Sequence, residues 1–253
     1  MSRETEGLEA QITTLGTWIA ESRRIVFFGG AGVSTESGIP DFRSADGLYA
    51  EKRSYPPEQI VSHSFFLSHT EQFYEFYKER MLYPDAEPNA AHLALAALER
   101  QGKLSAVITQ NIDGLHEKAG SQQVLPLHGT VLKNHCMRCG KSYSLAELLS
   151  RSGVVPHCDC GGIIKPDVVL YEEALDSALL TEAARRIAEA DLLIVGGTSL
   201  AVYPAAGLLR YFDGRHLVVI NRSATPADRD ADLVIQAPIG EVLSKALEEA
   251  AEA

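Results

Sequence analysis

The four cysteines of this 253-residue chain lie close together, as Cys136-Met137-Arg138-Cys139 and Cys158-Asp159-Cys160, with eighteen residues between the pairs. Two thiol knuckles at this spacing suit a closed tetrahedral Zn²⁺ site. With every position taken by protein, such an ion is structural rather than catalytic. The second pair has a one-residue spacer, which tightens that knuckle, and His135 and His157 adjoin the site as substitute ligands. Four clustered cysteines in a chain this long do not make a disulfide framework. A second chemical feature is Gly29-Gly30-Ala31-Gly32-Val33-Ser34, directly after the apolar run Ile25-Val26-Phe27-Phe28. Glycines at a strand end let backbone N–H groups approach a phosphate, which a helix N-terminus then stabilises. By itself the pattern fits a tight strand-to-helix turn equally well. The next run, Ser37-Gly38-Ile39-Pro40-Asp41-Phe42-Arg43, adds a carboxylate, an aromatic ring and a guanidinium, as a segment closing over a ligand needs.

Three further loops carry reactive or hydrogen-bonding groups. Thr109-Gln110-Asn111-Ile112-Asp113-Gly114-Leu115-His116 puts amides, a carboxylate and an imidazole after one strand; a helix cap at Asn111 or Asp113 explains one of them but not the set. His128, in Leu125-Pro126-Leu127-His128-Gly129, is either a packed residue or a general base titrating near neutrality. Gly197-Thr198-Ser199-Leu200 suits a phosphate or ribose contact, and Asn221 can hydrogen-bond ribose hydroxyls, although each alone reads as an ordinary turn.

The elements that must position these loops follow from hydropathy. Leu8, Ile12, Leu15 and Ile19 repeat at helical spacing; so do Leu93, Ala94, Ala97 and Leu98, and Leu180, Ala183, Ala184, Ile187 and Ala188. Val242, Leu243, Ala246 and Leu247 form a last helix running into an acidic, Ala-rich end. Between them, residues 25–28, 106–108, 192–195, 217–220 and 233–235 are continuous apolar runs, the mark of strands buried on both faces. Strands alternating with helices predict a parallel sheet with helices on both faces and ligands beyond the strands' carboxyl ends. Residues 44–89, rich in aromatics and prolines, and 133–166, which hold the cysteines, break this rhythm and read as insertions forming a smaller module.

Composition narrows the class. Hydrophobic residues make up 45% and charged residues 23%, ordinary for a globular chain, which excludes disordered and fibrous classes. A formal net charge of −11 argues against a nucleic-acid binder. No apolar run reaches the ~18 residues of a membrane helix. The polar start, Met1 to Gly7, has no apolar signal core behind it. The expectation is a cytoplasmic protein without membrane or direct nucleic-acid contacts.

Taken in order, the motifs from Gly30 to Arg43, Thr109 to Asp113, His128-Gly129, the cysteine pairs, Gly197 to Leu200 and Ile220-Asn221 resemble the sirtuin family of NAD-dependent protein deacylases. The likeness spans about residues 8 to 247 and looks like the compact bacterial or archaeal members. It implies an α/β fold: a Rossmann-type parallel sheet with helices on both faces, built from 1–43, 90–132 and 167–253, plus a smaller zinc-binding module from 44–89 and 133–166. It also implies that Ala31, Thr35, Phe42, Arg43, Gln110, Gly197, Thr198, Ser199, Asn221 and Ile239 contact NAD. Ile112 and Asp113 would hold the nicotinamide amide, and Asn111 would order the ribose and nearby water. His128 would be the general base, and Cys136, Cys139, Cys158 and Cys160 would hold structural Zn²⁺. Val168 and Val169, with Ala201 and Val202 opposite, would sandwich the acetyl-lysine peptide as an added strand. The implied reaction moves the acetyl group of acetyl-lysine to ADP-ribose, with release of nicotinamide and O-acetyl-ADP-ribose.

The chain departs from the family pattern in the short second cysteine spacer and at Tyr171-Glu172-Glu173, where many members carry Phe-Gly-Glu. Two other classes share the phosphate loops: a nucleotide sensor with a zinc docking module, which has no use for His128, and an ADP-ribosyl transferase. A dehydrogenase is disfavoured, because no acidic residue follows the glycine loop by ~20 positions at the end of a second strand. Members that remove acidic acyl groups look to carry Tyr-x-x-Arg in the acyl pocket. With Phe73-Tyr74 as the anchor, Tyr77 takes the Arg position and Arg80 lies toward the helix's far end, which predicts acetyl over succinyl.

Overall fold

The protein, described here from a computed structural model over residues 3–42, 47 and 54–252, contains nine strands among these residues. In chain order they are β1 (Ile25–Gly29), β2 (Leu104–Thr109), β3 (Val124–Pro126), β4 (Gly129–Cys136), β5 (Ser142–Ser144), β6 (Ile164–Val168), β7 (Leu192–Gly196), β8 (His216–Ile220) and β9 (Leu233–Ile235). Six form one parallel sheet in the order β3-β2-β1-β7-β8-β9. Strand order reverses between β1 and β7, the topological switch point where doubly wound sheets bind nucleotides. The strands end level: Gly29 pairs with Thr109 and with Gly196, Thr109 with Pro126, and Gly196 with Ile220. Every loop singled out for its chemistry therefore leaves the sheet along one edge.

The helices are α1 (Arg3–Glu21), α2 (Pro57–Ile60), α3 (His63–Ser68), α4 (Thr70–Arg80), α5 (Ala90–Arg100), α6 (Leu115–Lys118), α7 (Leu145–Leu149), α8 (Ser177–Ala188) and α9 (Ile239–Glu252). Side chains alternating along the strands feed two cores. Ile25, Phe27, Val107, Ile194 and Val218 pack against α1, α5 and α9; Val26, Phe28, Ile108, Leu193 and Val219 pack against α8 and the 3₁₀ helix Ala205–Tyr211. A third core joins α2, α3 and α4 to an antiparallel sheet in the order β5-β4-β6, with Phe66, Phe73, Tyr74 and Tyr77 at its centre. Of the segment 44–89, residues 44–46 and 48–53 lie outside the described residues.

Three local readings are revised. Strand β3 was not foreseen from hydropathy; it is short, half-buried and ends in Pro126, all of which suit an edge strand. The antiparallel sheet of the small module was likewise not foreseen. In α5 the apolar stripe is rotated: Leu93 is 53% exposed, whereas Ala91, His92, Ala94, Leu95 and Leu98 face inward. His92 turns in because its ring closes a capping box: the Asn89 side chain accepts from Ala91 N–H at 2.9 Å, and Asn89 N–H donates to His92 Nδ1 at 3.2 Å.

His92 lies 4.7 Å, centroid to centroid, from His116 of α6, which also contacts Phe27. Burial lowers His92 to about 4 against an opposing pull from Asp113, and burial with the neighbouring His92 lowers His116 to about 3. Both are neutral in the fold, while in the unfolded chain they take up protons near 6.5. Their contribution to stability is therefore complete above pH 6.5 and is lost as pH falls toward 4. For His116 alone this is about 2 kcal/mol between pH 7 and pH 5. Urea unfolding at the two pH values should show the loss, and His116→Gln should shrink it.

Candidate active site

At the switch point the loops after β1 and β7 meet backbone to backbone. Gly32 N–H donates to Gly197 O at 2.8 Å, and a Cβ on Gly32 would sit 2.8 Å from Gly197 Cα. Gly197 has φ +58, and a Cβ there would stand 2.4 Å from Val33 N. Beyond this contact the sequence led us to expect a helix N-terminus. The structure has two 3₁₀ turns instead, Ala31–Val33 and Thr35–Ser37, closed by i→i+3 bonds such as Ser34 N–H to Ala31 O at 3.1 Å. Gly38, at φ +81, and the Ile39-Pro40 pair stop the chain from continuing as an α-helix. Ala31, Thr35 and Phe42 are partly exposed along this segment, and Arg43 lies outside the described residues.

The loop after β2 grips this segment. Asn111 Nδ2 donates to Ser34 Oγ at 3.0 Å, and Ser34 Oγ donates to Asp113 Oδ2 at 2.7 Å. The other oxygen of Asp113 accepts from Leu115 N–H at 2.9 Å, at the start of α6. Gln110 Nε2 donates to Thr198 Oγ1 at 3.0 Å, tying the same loop to the one after β7. Ser34, almost fully buried, thus sits at the centre of the site, although in the sequence it was only the last residue of a glycine motif. Asn89 also went unnoticed: its Nδ2 donates to Val33 O at 2.7 Å and to Ser37 Oγ at 3.0 Å.

His128 follows β3 on the same edge. Its Nδ1 lies 3.0 Å from Gln110 O. A carbonyl only accepts, so Nδ1 carries the proton and the neutral ring keeps its Nε2 lone pair. Burial lowers its pKa below the ordinary histidine value, partly offset by that carbonyl. The ring thus remains an unprotonated base through neutral pH. Just after it, Gly129 has φ +76, and a Cβ there would lie 1.9 Å from Asp167 O, so no other residue fits. His128 O accepts from Val169 N–H at 3.0 Å, and Ile112 O from Val131 N–H at 2.9 Å, which joins the base to the small module.

The remaining residues are less tightly gathered. Val168 is buried and Val169 half-buried at the end of β6, while Ala201 is exposed and Val202 half-buried after the β7 loop. Ser199 is exposed. Asn221 lies two strands from β1 and donates to Ser223 O at 2.8 Å. Ile239 is buried, and its Cδ1 covers Gly196, where a Cβ would come within 2.2 Å of it. Glu172 has φ +75, the left-handed conformation of a glycine, with its carboxylate accepting from Ser64 N–H at 2.8 Å and Ser64 Oγ at 2.9 Å.

In the small module the four thiols converge, all sulfurs lying within 4.8 Å of one another. Cys136 and Cys160 Sγ are 3.5 Å apart, and Cys139 and Cys158 Sγ 3.6 Å. Tetrahedral Zn–S bonds of ~2.3 Å need sulfurs about 3.8 Å apart, so the group fits one Zn²⁺ and the short second spacer does not spoil it. His135 contacts Asp167 instead, and His157 lies outside the sulfur group.

Fold and site together define an α/β protein with the doubly wound sheet of dinucleotide-binding folds, built against a module that carries four clustered thiols. The Sir2 family model matches residues 30–204. The chain is 60% identical over 236 residues to the NAD-dependent protein deacetylase of Clostridium acetobutylicum, covering 92% of this chain and 96% of that one. It is 56% identical to the protein of the same description from Clostridium perfringens, over 95% of this chain and 100% of that one. Among solved structures, a Sir2 with a deacetylated p53 peptide and 3'-O-acetyl ADP-ribose superposes with TM-score 0.87 at 41% identity, covering 94% and 98% of the two chains. A Sir2 bound to acetylated peptide gives 0.84 at 39% identity, covering 96% and 99%. The chain belongs to the Sir2 family.

The thiolate group should hold one zinc per chain, and its removal should unfold the small module, since metal affinity at such a site is folding free energy. Metal analysis of purified protein should give a 1:1 ratio, and Cys139→Ser should lower the melting temperature and promote aggregation. Full stability and activity without zinc would refute the assignment.

Proposed function

We propose that this chain is an NAD-dependent protein lysine deacetylase. The observation that supports the reading is the single row of strand ends from which the glycine loop, the Asn111–Ser34–Asp113 chain and His128 all leave one edge of the sheet, with His128 Nδ1 bonded to the Gln110 carbonyl. The curated relatives share the activity in their description. NAD, when bound, supplies ADP-ribose as acetyl acceptor and nicotinamide as leaving group. In this reading Ala31, Thr35, Phe42, Arg43, Gln110, Gly197, Thr198, Ser199, Asn221 and Ile239 hold it. The N–H groups and partly exposed side chains around the glycine loop suit phosphate and ribose. Ile112 and Asp113 flank the nicotinamide end. Asn111, fixed by Ser34, orients a ribose hydroxyl or water.

His128 would accept, at Nε2, a proton from a ribose hydroxyl of bound NAD, the hydroxyl that takes up the acetyl group. Its Nδ1 bond to Gln110 O keeps the ring in that tautomer and steadies the imidazolium that forms. Val168 and Val169 on one side, and Ala201 and Val202 on the other, receive the peptide as an added strand. Residues 1–43, 90–132 and 167–253 serve as the NAD lobe, with 44–89 and 133–166 as the zinc lobe. A reducing cytoplasm suits the four thiols, none of which is in a disulfide.

His128→Ala should lower deacetylation by ~10²- to 10⁴-fold while NAD still binds. In the wild type, kcat/KM should hold through neutral pH and fall only as pH drops through a value below 6.5, because burial lowers the pKa of His128. Mass spectrometry of an acetyl-lysine peptide with and without NAD reads the reaction directly; no NAD-dependent loss of acetyl would overturn it.

The acyl preference is read from α4. Phe73, Tyr74, Phe76 and Tyr77 are all buried; among the described residues the Tyr77 hydroxyl has no hydrogen-bond partner, and Arg80 at the helix end forms an ion pair with Glu79 at 3.3 Å. An aromatic wall leaves a succinyl carboxylate unpaired, at a cost of several kcal/mol, roughly. The enzyme should therefore prefer acetyl to succinyl on the same peptide by kcat/KM. A succinyl preference lost in Arg80→Met would show that Arg80, not Tyr77, faces the acyl group.

A further inference from the structure

One contact near the crevice has no part in the scheme above. The first turn of α9 presents the Gly240 N–H, which donates to the Glu36 carboxylate at 3.1 Å across 204 residues of sequence. The carboxylate lies directly over the glycine: a Cβ on Gly240 would be 2.5 Å from Glu36 Oε2. A carboxylate at a helix N-terminus gains from both the free N–H and the helix dipole. Glu36 belongs to the 3₁₀ turn Thr35–Ser37, and Ile239, the first residue of α9, covers Gly196 at the end of β7. The bond therefore ties the segment after β1 to the element that closes the end of β7. On its other side the same turn is held by Asn89, through Val33 O and Ser37 Oγ.

We propose that Glu36 is a positioning residue for NAD: its bond to the α9 N-terminus holds the Ala31–Ser37 turns in the conformation that receives the dinucleotide. The inference rests on the NAD-dependent reading above. The internal bonds of this segment are the local closures of two short 3₁₀ turns, such as Ser34 N–H to Ala31 O and Gly38 N–H to Thr35 O, so its position over the sheet depends on what grips it from outside. Releasing one grip lowers the fraction of molecules ready to bind, and the apparent dissociation constant rises in inverse proportion. Saturating NAD restores that population, so kcat is spared.

Three variants of the full-length protein test this. Glu36→Ala removes the carboxylate. Gly240→Ala displaces it sterically while placing a better helix former in α9. Glu36→Gln keeps an acceptor without the charge. Calorimetric Kd and steady-state KM for NAD should rise roughly three- to tenfold in Glu36→Ala and Gly240→Ala, and less in Glu36→Gln. The KM for acetyl peptide and the melting temperature should stay near wild type, and the double variant should be no worse than either single one. In NAD-free protein, amide hydrogen exchange over residues 31–42 should quicken in the same two variants. Unchanged NAD affinity in both would overturn the proposal. So would a joint rise in both KM values with a fall in melting temperature, which marks a merely structural contact. A wild type that does not bind NAD would overturn the reading of the site and the inference with it; a wild type that binds NAD while Glu36→Ala binds it equally well sinks the inference alone.

Discussion

The contact between Gly32 N–H and Gly197 O decides where everything else in the crevice can stand. Two loops leaving neighbouring parallel strands normally diverge, because side chains keep their backbones apart. Here Gly30, Gly32 and Gly197 have no room for a Cβ, so the loops touch. The chain after β1 then continues into two 3₁₀ turns at the switch point. Ser34 is thereby carried to within reach of the loop after β2. Its single hydroxyl then both accepts from Asn111 and donates to Asp113, so two side chains are oriented by one buried group. Buried polar networks of this kind are stable only when every member is satisfied, which makes the glycine contact a condition for the geometry of Asn111 and Asp113.

The small module is tied to the same edge through two strands. β4 begins at Gly129, beside His128, and ends at Cys136; β6 begins next to the cysteines at Ile164 and ends at Val168. Gly129 pairs with Val168 at one end of this ladder and Cys136 with Ile164 at the other. The pairing is irregular between Gly129 and Asn134, so a metal that fixes Cys136 against Cys158 and Cys160 sets the Asn134–Cys136 end of the pair, while Gly129 and Val168 hold the other end. Gly129 completes the link, since only a residue without Cβ lets β4 approach Asp167 O there.

Much of this architecture was legible in the sequence, and the parts that were not share a cause. Strands β1, β2, β7 and β8 announce themselves because both faces are buried and the runs are continuously apolar. β3 does not, because three half-buried residues ending in proline have no periodicity to read. In α5 hydropathy put Leu93 inside, whereas the capping box drew His92 in and left Leu93 out. The loops of the site were visible by residue type, but their wiring was not. Ser34 to Asp113, Asn89 to Ser37 and Glu36 to Gly240 join positions 79, 52 and 204 residues apart. Polar pairs of this kind leave no repeat in the chain; only the fold brings them together.

Glu172 sits where the main chain after β6 turns back toward α3. The family pattern has many members with glycine there, and this chain keeps the glycine conformation, φ +75, with a charged side chain in it. A non-glycine residue in that region is strained by about 1 kcal/mol. Two hydrogen bonds from Ser64 to the Glu172 carboxylate work against that strain, and the pairing of Tyr171 with residues 61–63 holds the backbone on either side. Glu173 adds a second tie, accepting from Leu170 N–H at 2.8 Å and pairing with Lys165 at 3.2 Å. The bend after Leu170 is thus secured by side chains where a glycine would adopt it freely. The main chain at position 172 thus takes a left-handed turn that its side chain and those of its neighbours hold in place.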